Sequence, residues 1–200
     1  MQSVAQGYLV YDLTHSAKIL GAVSSAYGLP VLFLALIGGA ITDRFERKRI
    51  IQLGQGISAT MALFIAISIG TESLTWIHLL MASMVQGILW CFIGPARAAL
   101  APDLVAPEDT GNAIGLLSAG VSACTLAGPV MAGLLYAVAG PGVVYYTVSI
   151  LVIVGLMFTS VIRPKTPSSA GVVKSIFPEI KDGLGNIWNN RIVRVILAIS

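Results

Sequence analysis

Residues 39–50 read GAITDRFERKRI, and six of the seven positions from Asp43 to Arg49 carry charge. Across the whole chain only 10% of residues are charged and 56% are hydrophobic, with a mean hydropathy of +0.86. Soluble domains carry about 25% charged residues, so this composition marks a chain whose solvent is largely hydrocarbon. A helix satisfies its own backbone groups there, and about 20 apolar residues carry it across a bilayer. The charged stretch therefore reads as a short turn between two spans. Four of its six charges are basic.

Working outward from that turn, five runs are long enough to cross: 18–42, 50–70, 74–96, 112–138 and 143–162. Lys18, at an end, is their only formally charged side chain. Residues 1–11 are apolar but too short to span, and read as part of a first helix; a short amphipathic surface helix is the alternative. At the other end, residues 192–200 read as the start of a seventh span. The chain thus reads as a piece of a longer protein, in which residues 1–162 form an N-terminal transmembrane bundle. Residues 163–191 form a linker that opens with RPKTPSSAG. Ile176, Ile180, Leu184 and Trp188 then recur at four-residue spacing, the pattern of an interfacial amphipathic helix, with a disordered linker as the alternative.

Orientation follows from the basic residues, which are retained on the cytoplasmic side. If the 43–49 turn is cytoplasmic, eleven of the twelve Lys and Arg residues lie inside and Lys18 alone lies outside. The 163–191 segment then also falls in the cytoplasm, and the expected location is the inner or plasma membrane. The connection PARAALAPDLVAPEDTGN becomes a second inside loop. Cys91 and Cys124 fall within apolar runs and read as small packing residues. No Ser/His/Asp set and no metal-ligand cluster is present in the sequence, which argues against an enzyme. No cofactor, metal or nucleic-acid partner is expected.

Two spans have distinctive side chains. In 112–138, Gly120, Cys124, Gly128 and Ala132 repeat every four residues beside a second row of Gly115, Ala119, Ala123 and Ala127. Small residues at this spacing let a neighbouring backbone approach closely. Pro129 removes a backbone donor and crowds the carbonyl of Thr125, so a kink is expected there. In 74–96, His78, Ser83, Gln86 and Trp90 are the polar or amphipathic positions, and such groups face a bundle interior or a wet cavity. Gln86 reads as a contact to substrate or to another helix, and His78 as interfacial. The bulky run 143–162 reads as lipid-facing.

With the turn placed between the second and third spans, GAITDRFERKRI resembles the signature loop of the major facilitator superfamily, roughly G-x-x-x-D-R-x-G-R-K/R. Gly39, Asp43, Arg44, Arg47 and Lys48 match it, and Glu46 stands where many members have glycine. The fifth span resembles the antiporter motif of that superfamily, G-x8-G-x3-G-P-x2-G-G. Gly115, Gly128, Pro129 and Gly133 match, while Cys124 and Ala132 replace two glycines. Gly120 belongs to the same small-residue helix. The stretch from Gly94 to Leu116 further resembles the corresponding connection of the enterobactin-exporter-like and macrolide-efflux-like branch.

The resemblance implies an all-α membrane fold of twelve helices in two six-helix bundles, which moves substrate through a central cavity by alternating access. This chain would supply the N-terminal bundle, its first helix truncated, with the C-terminal half as its partner. The resemblance assigns Asp43 to a latch against a helix of that other half, and Arg47 to an ion pair with an acid ending the fourth helix, for which Asp103 is the candidate. The implied function is a secondary active transporter, exporting small amphipathic molecules such as drugs or siderophore-like compounds from the bilayer-embedded cavity. A non-transporting membrane assembly protein on the same fold is the alternative. Candidate cavity-lining residues are Tyr11, Asp12, Ser83, Gln86 and Trp90. Proton-coupled members often carry an arginine three residues before a Q-G pair, but Ser83 precedes Gln86 and Gly87 here. Asp12 is the nearest candidate proton carrier.

Overall fold

Apolar runs of this length fold into helices because hydrocarbon supplies no partner for a free amide or carbonyl. The computed structural model describes residues 1–42 and 44–162, and all the elements there are helical. They are α1 (Gln2–Thr14), α2 (Ala17–Thr42), α3 (Arg47–Gly70), α4 (Trp76–Asp103), a 3-10 turn (Pro107–Asp109) and α5 (Thr110–Val161). Asp43, the linker 163–191 and the start of a seventh span at 192–200 lie outside the described residues.

At 1.5 Å per residue, α1 is roughly 20 Å long, shorter than a bilayer core. It buries Ala5, Leu9 and Val10 and stops at His15, which adopts the left-handed conformation (φ 48°) and donates its amide to Tyr11 O at 2.8 Å. α2 lies along α4, α3 lies along α5, and the α3–α4 contact joins the two pairs. Val10, Val23, Ile65, Leu79, Val144 and Tyr145 form the centre of the core.

Close approach between helices depends on small residues. A Cβ on Gly87 would overlap the backbone carbonyl of Tyr27, and one on Gly38 would overlap that of Cys91. The second contact has a cause in the sequence. Pro95 lacks an amide hydrogen, so the carbonyl four residues earlier, that of Cys91, loses its intrahelical donor. Gly38 lets α2 close over that orphaned carbonyl, and Thr42 adds a hydroxyl bond of 3.4 Å to the neighbouring Phe92 O.

The structure departs from the sequence reading at two places and sharpens it at a third. α4 runs on to Asp103, so residues 97–103, expected as loop, are helical. Ala and Leu dominate Arg97–Ala101, and their helix propensity carries the helix past the end of the apolar run. Next, α5 divides between the two runs read as separate spans, while the dihedrals at Pro129 stay helical. The break falls at Gly140 (φ 80°, ψ 174°), a conformation essentially reserved for glycine, and Pro141 holds its predecessor extended. α5 is therefore two arms, 110–139 and 141–161. Finally, the second arm is not wholly lipid-facing: Val144, Tyr145, Val148 and Ser149 are buried against α3, where Ser149 Oγ donates to Ala59 O at 3.1 Å. Both faces of this arm are apolar, so no periodicity betrays the packed one.

These contacts separate two kinds of helical glycine. Gly87→Ala is expected to destabilise the protein by about 1–3 kcal/mol through overpacking on Tyr27. Gly56→Ala, where nothing lies within 4 Å of an added Cβ, is expected to be neutral or stabilising by about 0.5–1 kcal/mol. Thermal unfolding of the purified variants in detergent measures both, and equal shifts would contradict the α2–α4 packing.

Candidate functional site

The charged turn is built by α2 ending and α3 beginning within five residues. The amides of Arg44 and Phe45 both bond to Ile41 O, at 3.0 and 3.2 Å, which closes the last turn of α2. Thr42 is buried and donates its hydroxyl to Gly38 O at 2.7 Å. Glu46 is extended (φ −61°, ψ 109°) and precedes α3, where an acid favours the positive end of the helix dipole. Its carboxylate pairs with Arg49 Nε at 2.5 Å across three residues on the exposed face.

Arg47 and Lys48 turn the other way, into the bundle. Arg47 Nη1 lies 2.6 Å from Asp103 Oδ2 and donates to Ala99 O at 2.9 Å, so one guanidinium holds the last turn of α4. Both side chains are 24% exposed. At that burial the pair is more than a surface ion pair, and removing one partner would cost roughly 1–3 kcal/mol by leaving the other unsatisfied. Lys48 Nζ donates to Ser160 O (2.9 Å) and Ile162 O (2.7 Å) at the carboxyl end of α5. Gln52 Nε2 joins it through Ser160 Oγ at 3.0 Å. The amino end of α3 thus sits between the carboxyl ends of two antiparallel neighbours. Its cations meet the negative ends of both helix dipoles. Gly39 has no atom within 4 Å of a Cβ position.

The polar residues of the spans divide into two groups. Ser83 is buried and its hydroxyl accepts from Gln6 Nε2 at 2.8 Å, while Gln6 also donates to Leu79 O at 2.7 Å. Gln86 Oε1 accepts from Ser58 Oγ at 3.3 Å. Both therefore tie α4 to its neighbours. Gln6 was missed in the sequence because it lies in a run too short to be read as a full span. Its polarity among apolar neighbours was the available signal. His78 caps its own helix, its ring reciprocating with Thr75 in a capping box.

Tyr11, Asp12 and Trp90 face outward instead. Asp12 accepts a short hydrogen bond from the Tyr136 hydroxyl of α5, and the Tyr8 and Tyr136 rings are 5.6 Å apart. Neither Tyr8 nor Tyr136 was singled out in the sequence, since their meeting is made by packing α1 on α5. The small-residue helix meets α1 at Gly128, whose Cβ position is 3.3 Å from the Met1 nitrogen, and at buried Ala132. Gly115, Gly120 and Gly133 have nothing within 4 Å, and Pro129 is exposed. Cys91 is buried and Cys124 exposed. Among the described residues no group of three or more His, Cys, Asp or Glu side chains could hold a metal.

Known proteins bear on this arrangement. The family profile of the Major Facilitator Superfamily matches residues 1–200. The Staphyloferrin A transporter of Staphylococcus aureus is 28% identical over 138 residues, covering 68% of this chain and 34% of that protein. The multidrug efflux pump Tap of Mycobacterium tuberculosis is 27% identical over 213 residues, covering 96% and 48%. The tetracycline resistance protein, class C, of Escherichia coli is 32% identical over 133 residues, covering 65% and 32%. The chain thus spans about a third to a half of the length of these relatives. Among the described residues four helices are long and apolar enough to cross a membrane, the last of them the doubly long α5. With the whole chain matched by the profile, this multi-pass membrane protein belongs to the Major Facilitator Superfamily.

Proposed function

We propose that the protein is a secondary active transporter that exports small amphipathic molecules by alternating access. The observation that carries this reading is the Arg47–Asp103 pair at 2.6 Å, which welds the charged turn to the end of α4 inside one bundle. A turn held this firmly moves with its bundle as a rigid part, as a rocking mechanism requires. The likeness to the Staphyloferrin A transporter and to the multidrug efflux pump Tap supports small-molecule export.

In this reading residues 1–162 are the N-terminal bundle, 163–191 a cytoplasmic linker and 192–200 the beginning of the next span. The C-terminal half of the transporter is its partner, and the turn 43–49 faces the cytoplasm of a cell whose plasma membrane holds the protein. Asp43 serves as the latch to the other half. Arg47, Lys48 and Asp103 anchor the turn that presents it, and Gly39 and Arg44 complete it. The first arm of α5, where Gly115, Gly120 and Gly133 are unpacked, is the element against which the other bundle moves. Proton coupling rests on the resemblance alone, since the spans contain no acid near their centres.

Export is tested with the full-length protein in proteoliposomes, loaded with a fluorescent amphiphile and given or denied a proton gradient. No flux under either condition would end the transport reading. Asp43→Asn is expected to shift the protein toward the inward-open state, read by labelling introduced cysteines with impermeant thiol reagents from each side. Unchanged labelling would remove the latch.

The ion pair makes its own prediction. Arg47→Asp and Asp103→Arg should each cut transport at least about tenfold, equivalent to about 1.4 kcal/mol of lost state stability. The double exchange should recover part of the rate, because the attraction survives reversal while the bond to Ala99 O does not. A double variant no better than the singles would show that the pair is not the relevant contact.

A further inference from the structure

Among the described residues α1 makes three hydrogen bonds to other helices, and two of them come from one side chain. Gln6 Nε2 gives one proton to Leu79 O at 2.7 Å and the other to Ser83 Oγ at 2.8 Å. An amide nitrogen has two protons, and both are used across a single turn of α4. Ser83 is buried and is the only hydroxyl residue of α4, so this pairing exists at one position along that helix. A turn further on, Gln86 is already engaged, its side-chain carbonyl accepting from Ser58 of α3.

The other contacts of α1 do not fix its place on α4. The third bond, from Tyr136 to Asp12, ties α1 to α5 instead. The buried residues Ala5, Leu9 and Val10 join Val23 of α2 and Leu79 and Ala82 of α4 in one apolar core. Between helices in lipid such contacts have no hydrophobic driving force, because acyl chains are as apolar as leucine. A one-turn slide, about 5 Å along the axis, would cost Gln6 its serine and leave that hydroxyl to bond back on its own helix. Directional hydrogen bonds therefore distinguish registers where apolar area does not, as a single polar residue does in a coiled coil.

Resting on the export reading above, we infer that Gln6 is a positioning residue for transport, which sets the axial register of α1 on α4. Alternating access needs a bundle that turns without internal slip, and Gln6 supplies to α1 what Arg47 supplies to the charged turn. Unlike that ion pair, the Gln6 contact carries no charge and no group that titrates. It holds alike in acid and in alkali.

The test uses the full-length protein, freed of other cysteines and spin-labelled at Tyr11→Cys and Ile77→Cys in lipid nanodiscs. Both sites are exposed, one near the carboxyl end of α1 and the other near the amino end of α4. Pulsed electron resonance is expected to give one narrow distance between the labels. Gln6→Leu should add a second distance, displaced by several ångströms as the register slips. Without the labels, Gln6→Leu should cut amphiphile flux in proteoliposomes at least several-fold. Gln6→Glu separates register from general packing. Its protonated carboxyl still donates one bond, whereas the ionised form faces Leu79 O with no proton to give. This variant should keep the wild-type distance and flux in acid and lose both as pH rises, while the wild-type distance stays constant. Its acid form also shows that the variant is folded. A single unchanged distance in Gln6→Leu overturns the inference, and lower flux with that distance would make Gln6 a substrate contact. A second distance with undiminished flux overturns the positioning role. The two readings fail separately. A wild type without flux, whose Gln6→Leu variant slips, keeps the register contact and removes the exporter.

Discussion

Hydrocarbon offers a polar atom no substitute for a lost hydrogen bond, and this constraint decides where each polar group of the bundle goes. Helices absorb the backbone, but prolines and helix ends leave carbonyls over. The Cys91 carbonyl, freed by Pro95, is closed over by Gly38 of α2. The carbonyls ending α4 and α5 are taken by Arg47 and Lys48 from the start of α3. A basic turn that could have served topology alone thus also finishes two neighbouring helices. The same residues that retain the turn on one side of the membrane make it rigid.

That double use supplies the stiffness that the proposed switch needs. A lever has to be stiff where it is held and free where it acts. Arg47 and Lys48 are fixed by four hydrogen bonds to α4 and α5, each 2.9 Å or shorter, while Glu46 and Arg49 pair on the exposed side. Inside the bundle, Gln6 with Ser83 and Ser58 with Gln86 link α1, α3 and α4 at mid-depth. Such bonds are modest singly, yet together with the alanine and glycine contacts they make the helices move as one body. The unpacked small residues of the first arm of α5 have the opposite property. They present backbone without side-chain interlock, a surface suited to sliding contact with another bundle.

The tyrosines of α1 follow a separate logic. They do not fill the core, because Ala5, Leu9 and Val10 occupy the buried side. They stay exposed, and Asp12, the one carboxylate of the first two helices, bonds to Tyr136 of α5. Arg47 and Lys48 of the turn bind the ends of α4 and α5, and Asp12 near the end of α1 bonds to Tyr136.

The residues alone determined the membrane class and the position of the turn, because both rest on local composition; the meeting of Arg47 with an acid at the end of α4 was what the family resemblance implied. Hydropathy is a sum over a window and survives ignorance of packing. Which face of each helix is buried was decided only in three dimensions. In 143–162 every face is apolar, so only the seating of Val144, Tyr145, Val148 and Ser149 on α3 distinguishes inside from outside. The break at Gly140 falls in the gap between the runs 112–138 and 143–162, so its place was legible, while its positive φ came only from the structure. Asp12 with Tyr136, and Gln6 with Ser83, join residues 124 and 77 positions apart. Contacts at such separation arise from helix packing, and no local pattern encodes them.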